Sequence, residues 1–155
     1  MVEIRKIERH EFQRAMEIAW ETFLEFEAKI YTKEGIKSFY DFINDPILEK
    51  MFLMGQYLVF GAFLEDRMVG IAGIRNRNHL SLLFVESKYH KMGIGNALVS
   101  HALCYCYEIY KEKSYTVNAA PYAVGFYHKL GFQDVSGEVE KDGVIYTPMI
   151  YYIGT

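Results

Sequence analysis

The chemistry in this chain starts at two glycines, Gly93 and Gly95, placed just after an apolar run. Ser81-Leu82-Leu83-Phe84-Val85 leads into a loop, Glu86 to Met92, and an apolar-patterned segment resumes at Ile94. That order is a strand, a turn of exposed amides and a helix N-terminus. Unpaired N–H groups and the helix dipole put about half a positive charge at such an end, so it binds anions. Glycines also let a ligand approach the backbone closely. A phosphate is the expected guest.

The neighbouring residues narrow the choice of phosphate. A P-loop needs Gly-Lys-Ser/Thr, but Gly95 is followed by Asn96-Ala97. A dinucleotide fingerprint needs a third small residue where this chain has Leu98. ATP and NAD are therefore disfavoured as ligands.

The turn needs a strand before it and a helix after it, and the hydrophobic rhythm supplies both. His79 to Val85 reads as the strand and Gly95 to Lys113 as the helix, with Leu98, Ala102, Tyr105 and Ile109 on one stripe. Upstream, Val2 to Ile7 alternates like a strand. Phe12 to about Tyr31 and Glu34 to Ile43 read as helices, and Asp45-Pro46 breaks the second. Residues 47–55 are ambiguous, with room for one more helical turn. Tyr57 to Leu64 and Met68 to Ile74 are strands joined at Glu65-Asp66-Arg67, and Asn76-Arg77-Asn78 is a turn. Downstream, Tyr115 to Ala119 is β-like, and Pro121 opens a helix that Gly131 closes. Strands at about 133–140 and 144–153 flank Asp142-Gly143, a good hairpin turn. The order β-αα-βββ-α-β-α-ββ describes a mixed α/β chain, read as one domain over residues 1–155.

Composition bounds the partners. At 155 residues and 51% hydrophobic the chain can bury a sizeable core. A net charge of -3 gives no basic footprint for nucleic acid. No apolar run approaches the ~20 residues that cross a bilayer. The N-terminal alternation lacks the apolar core of a signal peptide, so a cytoplasmic location and no membrane partner are expected. Cys104 and Cys106 lie two apart on the long helix, about 200° around its axis, and cannot pair. They read as free thiols, and with no second Cys/His pair at zinc spacing no metal is expected.

The loop ending His90-Lys91-Met92-Gly93-Ile94-Gly95 resembles the acetyl-CoA signature Arg/Gln-x-x-Gly-x-Gly/Ala of the GNAT family of N-acetyltransferases. A second block, Asn118-Ala119-Ala120-Pro121-Tyr122-Ala123-Val124-Gly125-Phe126-Tyr127-His128-Lys129-Leu130-Gly131-Phe132, looks like that family's Asn…Ala…Phe-Tyr-x-Lys-x-Gly-Phe segment. The two blocks have the family's order and separation. The resemblance implies a GNAT-like, mostly antiparallel sheet of about seven strands flanked by about four helices and splayed between the fourth and fifth strands. One residue departs from it: His90 stands where the signature has Arg or Gln.

The resemblance further implies acetyl-CoA as co-substrate. Its pyrophosphate would lie on the amides of about Met92 to Asn96, with Ile94 and Gly95 between them, Lys91 adding a peripheral charge and His90 a donor. Its pantetheine arm would pair like an extra strand with Leu83 and Val85, and Asn118 would position it. Tyr127 matches the family tyrosine that faces the cofactor sulfur, where a neutral phenol can donate a proton to the departing thiolate. A backbone amide near Val85 is the natural donor to the oxyanion.

The base is less constrained. His79 and Glu86, at the two ends of the strand, and Glu25 or Glu27 on the first helix are candidates. His79 is preferred because an imidazole titrates near neutral pH. In this fold the first helices and the last hairpin line the acceptor pocket. Glu25 and Tyr31 are the expected contacts there, among aromatic residues suited to a cationic amine, either a small molecule or a peptide N-terminus or lysine. The last strand, Tyr146 to Ile153, could pair across a homodimer. The alternative class is a coenzyme A-binding regulatory or partner-binding module with the same fold and weak catalysis.

Overall fold

Local turn chemistry sets the frame of the sheet. The computed structural model describes residues 1–153. Strands β2 (Tyr57–Leu64) and β3 (Arg67–Arg75) are joined by Glu65 and Asp66, both at positive φ (50° and 65°). Two left-handed residues in a row give the turn whose twist matches that of the flanking strands. Asp142 and Gly143 (φ 54° and 80°) do the same between β7 (Val139–Lys141) and β8 (Val144–Tyr152).

The remaining strands are β1 (Glu3–Lys6), β4 (His79–Val85), β5 (Ser114–Ala119) and β6 (Gln133–Asp134). They form one sheet in the order β1-β2-β3-β4-β5-β8-β6, with β7 also on β8. Every pairing is antiparallel except β4 with β5. The sequence reading of one strand over 133–140 splits into β6 and β7, and the sheet gains an eighth strand. The last strand is interior: β5 flanks one edge, and β6 and β7 flank the other. Most of its backbone is already paired, which leaves little edge for the expected pairing across a dimer.

Among the described residues, five α-helices cover the two faces. Helices α1 (Phe12–Phe26), α2 (Lys33–Ile43) and α3 (Pro46–Leu53) bury Phe12, Ile18, Phe23, Ile43 and Leu48 against Val59, Ile71, Leu82 and Phe84. Helices α4 (Ile94–Tyr110) and α5 (Val124–Leu130) close the other face over Phe60, Val69, Ile74 and Val117. The ambiguous stretch after Ile43 is the full helix α3. Asp45 ends α2 and caps α3 by accepting from the Ile47 amide at 2.9 Å, and Pro46 sits in the first turn, where no N–H is needed.

Helix α1 stops five residues earlier than its apolar rhythm implies. A short 3-10 turn (Ala28–Ile30) follows, and Tyr31 is extended. Thr32 then caps α2 by accepting from the Gly35 amide at 3.1 Å. The break turns Glu27 and Tyr31 inward.

Candidate active site

A β-bulge opens the site. Gly73 pairs with Leu82 and Ile74 with Leu80, leaving Ser81 as an extra residue in β4. An extra residue bends its strand and breaks the alternation of side chains. Leu80 accordingly packs with α4 on one face, while Leu82 packs with α1 on the other. Ser81 is held by Tyr57, whose hydroxyl lies 2.7 Å from Ser81 Oγ. Pairing with β5 ends at this point: His79 with Thr116 and Leu80 with Val117 are the only registered positions.

Beyond them the strands diverge and backbone groups of β4 face a gap. The Glu86 amide donates to the Val69 carbonyl across β3 at 2.9 Å. Antiparallel pairs alternate, so Phe84 bonds toward β3 while Leu83 and Val85 turn their amides and carbonyls to the open side. These are the two residues expected to receive a strand-like ligand.

The turn after β4 carries the second feature. Lys91 (φ 67°) and Gly93 (φ 77°) are both left-handed, and Gly93 is the N-cap of α4. No side chain caps this helix. The first intrahelical bond is from the Ala97 amide to the Gly93 carbonyl at 3.0 Å. The amides of Ile94, Gly95 and Asn96 are therefore free for an anion.

Gap and turn open into one cavity of about 630 Å³. Of the residues expected in the site, Leu83, Val85, His90, Lys91, Gly93, Ile94, Gly95, Asn96, Asn118, Tyr127 and Tyr31 line it. Met92 does not; its side chain is exposed. His90 also has partners within the protein. Its Nε2 donates to the Val85 carbonyl at 2.7 Å, which fixes the proton on that nitrogen, and its ring stacks on Phe26 at 5.0 Å.

Three further expected residues, besides Met92, lie outside the cavity. His79 stands where β4 and β5 are still paired, with Nδ1 2.8 Å from Thr116 Oγ1. Burial, and then the charge of Arg75, push its pKa below the ordinary imidazole value. Glu25 is exposed over a separate groove, on the other side of the helix end. Glu86 is bound in ion pairs with Arg14 and Arg67, each at 3.0 Å.

Glu27 is the candidate acid that does line the cavity. It is 9% exposed, lines the cavity, and accepts hydrogen bonds from Tyr31 (3.2 Å) and Tyr122 (3.1 Å). Burial raises its pKa above the ordinary carboxyl value, against the lowering effect of the two phenols. Tyr127, 5% exposed, also lines the cavity. Burial, and then the Glu27 charge, raise its pKa, so its hydroxyl stays protonated at neutral pH. Tyr122 also lines the cavity and donates to Glu27. A buried carboxylate answering two phenols from α2's approach and α5's approach is a non-local pattern that no sequence spacing announces.

No helix among the described residues is long and apolar enough to cross a membrane. Residues 27–153 match the family model described as an acetyltransferase (GNAT) domain. The uncharacterized protein YyaT of Bacillus subtilis is 36% identical over 86 residues, a match spanning 52% of this chain and 55% of that protein. The chain thus spans about half the length of the curated relative it matches. The PaiA N-acetyltransferase of Thermoplasma acidophilum, solved in complex with coenzyme A, superposes with a TM-score of 0.81 at 21% identity, covering 98% of this chain and 99% of that one. A variant of the spermidine N-acetyltransferase SpeG of Vibrio cholerae gives a TM-score of 0.67 at 15% identity, covering 97% and 93%. The bulged and splayed fourth strand, the uncapped helix N-terminus and a family match over most of the sequence agree: this chain belongs to the GNAT acetyltransferase family.

Proposed function

We propose that the protein transfers an acetyl group from acetyl-CoA to a primary amine, with Glu27 as base and Tyr127 as acid. The observation that carries this reading is a buried carboxylate and a neutral buried phenol lining one cavity, which an uncapped helix N-terminus also lines. The coenzyme A complex of a fold neighbour supports the choice of co-substrate.

The fit to coenzyme A rests on unmet backbone valence. Three free amides at Ile94, Gly95 and Asn96 suit a pyrophosphate, and charge-assisted bonds of this kind contribute roughly 1.5–3 kcal/mol each. The open amide and carbonyl of Leu83 and the open amide of Val85 suit an extended arm. When bound, acetyl-CoA supplies an activated thioester carbonyl.

Protein groups handle the protons. Amines of this type have pKa values near 10, so the acceptor arrives as an ammonium. Glu27 takes one of its protons, and its raised pKa makes it a stronger base than an exposed carboxylate. Tyr127 Oη gives a proton to the sulfur as the C–S bond breaks and the C–N bond forms. The second proton shed by nitrogen restores the phenol. Aromatic side chains around Glu27 exclude water from the exchange.

The test is thiol release from acetyl-CoA across an amine panel. Tyr127→Phe is expected to lower turnover at least tenfold with little change in cofactor affinity. The acid limb of kcat/KM rises with pH as Glu27 deprotonates, through a value above 4.5. That limb disappears in Glu27→Gln and stays in His79→Gln. Tight acetyl-CoA binding with no transfer to any amine would instead mark a binding module.

A further inference from the structure

We infer that the acceptor is a small amine with a single positive charge on an apolar body, and that polyamines and basic peptides are poor substrates. This rests on the acetyl-transfer reading above and concerns the acceptor end of the same cavity.

The first ground is the count of carboxylates. Glu27 is the sole acidic side chain lining the cavity among the described residues. The nearby acids are turned elsewhere: Glu86 into its two arginine pairs and Glu25 onto a separate groove. If Glu27 holds the ammonium that reacts, a second ammonium has no anionic partner. Burying a cation without one is costly. The basic side chains lining the same cavity, His90 and Lys91, add no attraction for it.

The second ground is the wall. Phe26, Phe39, Phe84 and Tyr31 line the space around Glu27. Phe39 stacks on Phe23 at 4.2 Å and leans on Phe84 at 5.7 Å, so this surface is fixed by the core beneath it. It offers area to an aromatic or aliphatic body and few polar partners to a peptide backbone.

The third is space. The tip of the β7–β8 hairpin docks beside Tyr31, where the Thr32 amide donates to the Gly143 carbonyl at 3.3 Å. The same 630 Å³ must also admit the pantetheine end of the co-substrate. The co-substrate therefore takes part of the room beside Glu27. The spermidine enzyme shares the fold, at 15% identity, without implying this acceptor end.

The experiment compares kcat/KM for 2-phenylethylamine, propylamine, spermidine and a lysine-containing tetrapeptide, using the full chain and acetyl-CoA. The expected result is 2-phenylethylamine at least tenfold above spermidine and the peptide. Glu27→Gln is expected to lower the 2-phenylethylamine value at least a hundredfold, while calorimetry finds acetyl-CoA affinity within threefold of the parent. Spermidine or the peptide equal to or better than 2-phenylethylamine would overturn the inference and leave acetyl transfer standing. Inert amines throughout, with acetyl-CoA bound, would overturn the transfer reading and the inference with it.

Discussion

At the scale of single residues, the site stores a cost that can be measured. The pKa of Glu27 is raised by burial, so the folded protein binds its proton more tightly than the unfolded chain does. The unfolded carboxyl titrates near 4.5. Stability therefore falls as pH rises from that value through the raised folded value, and stays lower above it. A glutamine at this position still accepts from one phenol and donates to the other. Glu27→Gln should then unfold at a higher temperature than the parent at pH 7, with the gap closing near pH 4. Equal melting temperatures at pH 7 would mean the two phenols fully offset the burial. His90 makes a second residue-scale point. Its bond to the Val85 carbonyl occupies one of the groups that an extended ligand arm would use. His90→Ala frees that carbonyl and removes the stack on Phe26. The expected result by calorimetry is a tighter or unchanged coenzyme A affinity, with a slower rate from the loosened Phe26–Glu27 segment. A tenfold loss of affinity would show instead that the imidazole contacts the ligand.

At the scale of elements, what was legible in the sequence was local. Asp142-Gly143 and the Gly-Ile-Gly turn could be read because their backbone angles are set by the residues themselves. The bulge at Ser81 could not, because it is a register between β3 and β4 rather than a property of either strand. The same blindness placed His79 in the site: the sequence does not say how far the β4–β5 pairing runs. Glu25 and Glu27 were indistinguishable while α1 was read as running to Tyr31; the helix end at Phe26 separates them. One contact between elements can be tested directly. A Cβ on Gly35 would lie 2.5 Å from the Gly143 carbonyl oxygen, so α2 and the β7–β8 hairpin meet only because position 35 has no side chain. Alanine would favour the isolated helix by about 1 kcal/mol. Overpacking against backbone costs typically 1–3 kcal/mol. Gly35→Ala should therefore leave stability level or lower and push the hairpin tip away from Tyr31. Steady-state kinetics should register a raised amine KM with the acetyl-CoA KM unmoved. A clear rise in melting temperature would mean that α2 and the hairpin do not press together.

At the scale of the whole molecule, the splay divides the sheet. Strands β1 to β4 form one side; β5 and β8, with β6 and β7, form the other. Between them run two registered pairs of residues, plus the shared packing of α4. A ligand that pairs with the gap-facing groups of Leu83 and Val85 and also touches Asn118 on β5 spans both sides. It should stabilise the fold as a unit, because it binds the assembled gap and not the unfolded chain. At a hundred times its Kd such a ligand adds about 2.7 kcal/mol. For a chain of this length that is a rise in melting temperature of about 5–11 °C. The backbone amides of β5 and of the first turn of α4 should gain the most protection from hydrogen exchange, since they border the gap. ATP and NAD should give no comparable shift at equal concentration, as both carry a pyrophosphate but lack a pantetheine arm to lie along β4. A shift from ATP or NAD as large as that from acetyl-CoA would reduce the site to its helix N-terminus, with the splayed strand playing no part in recognition.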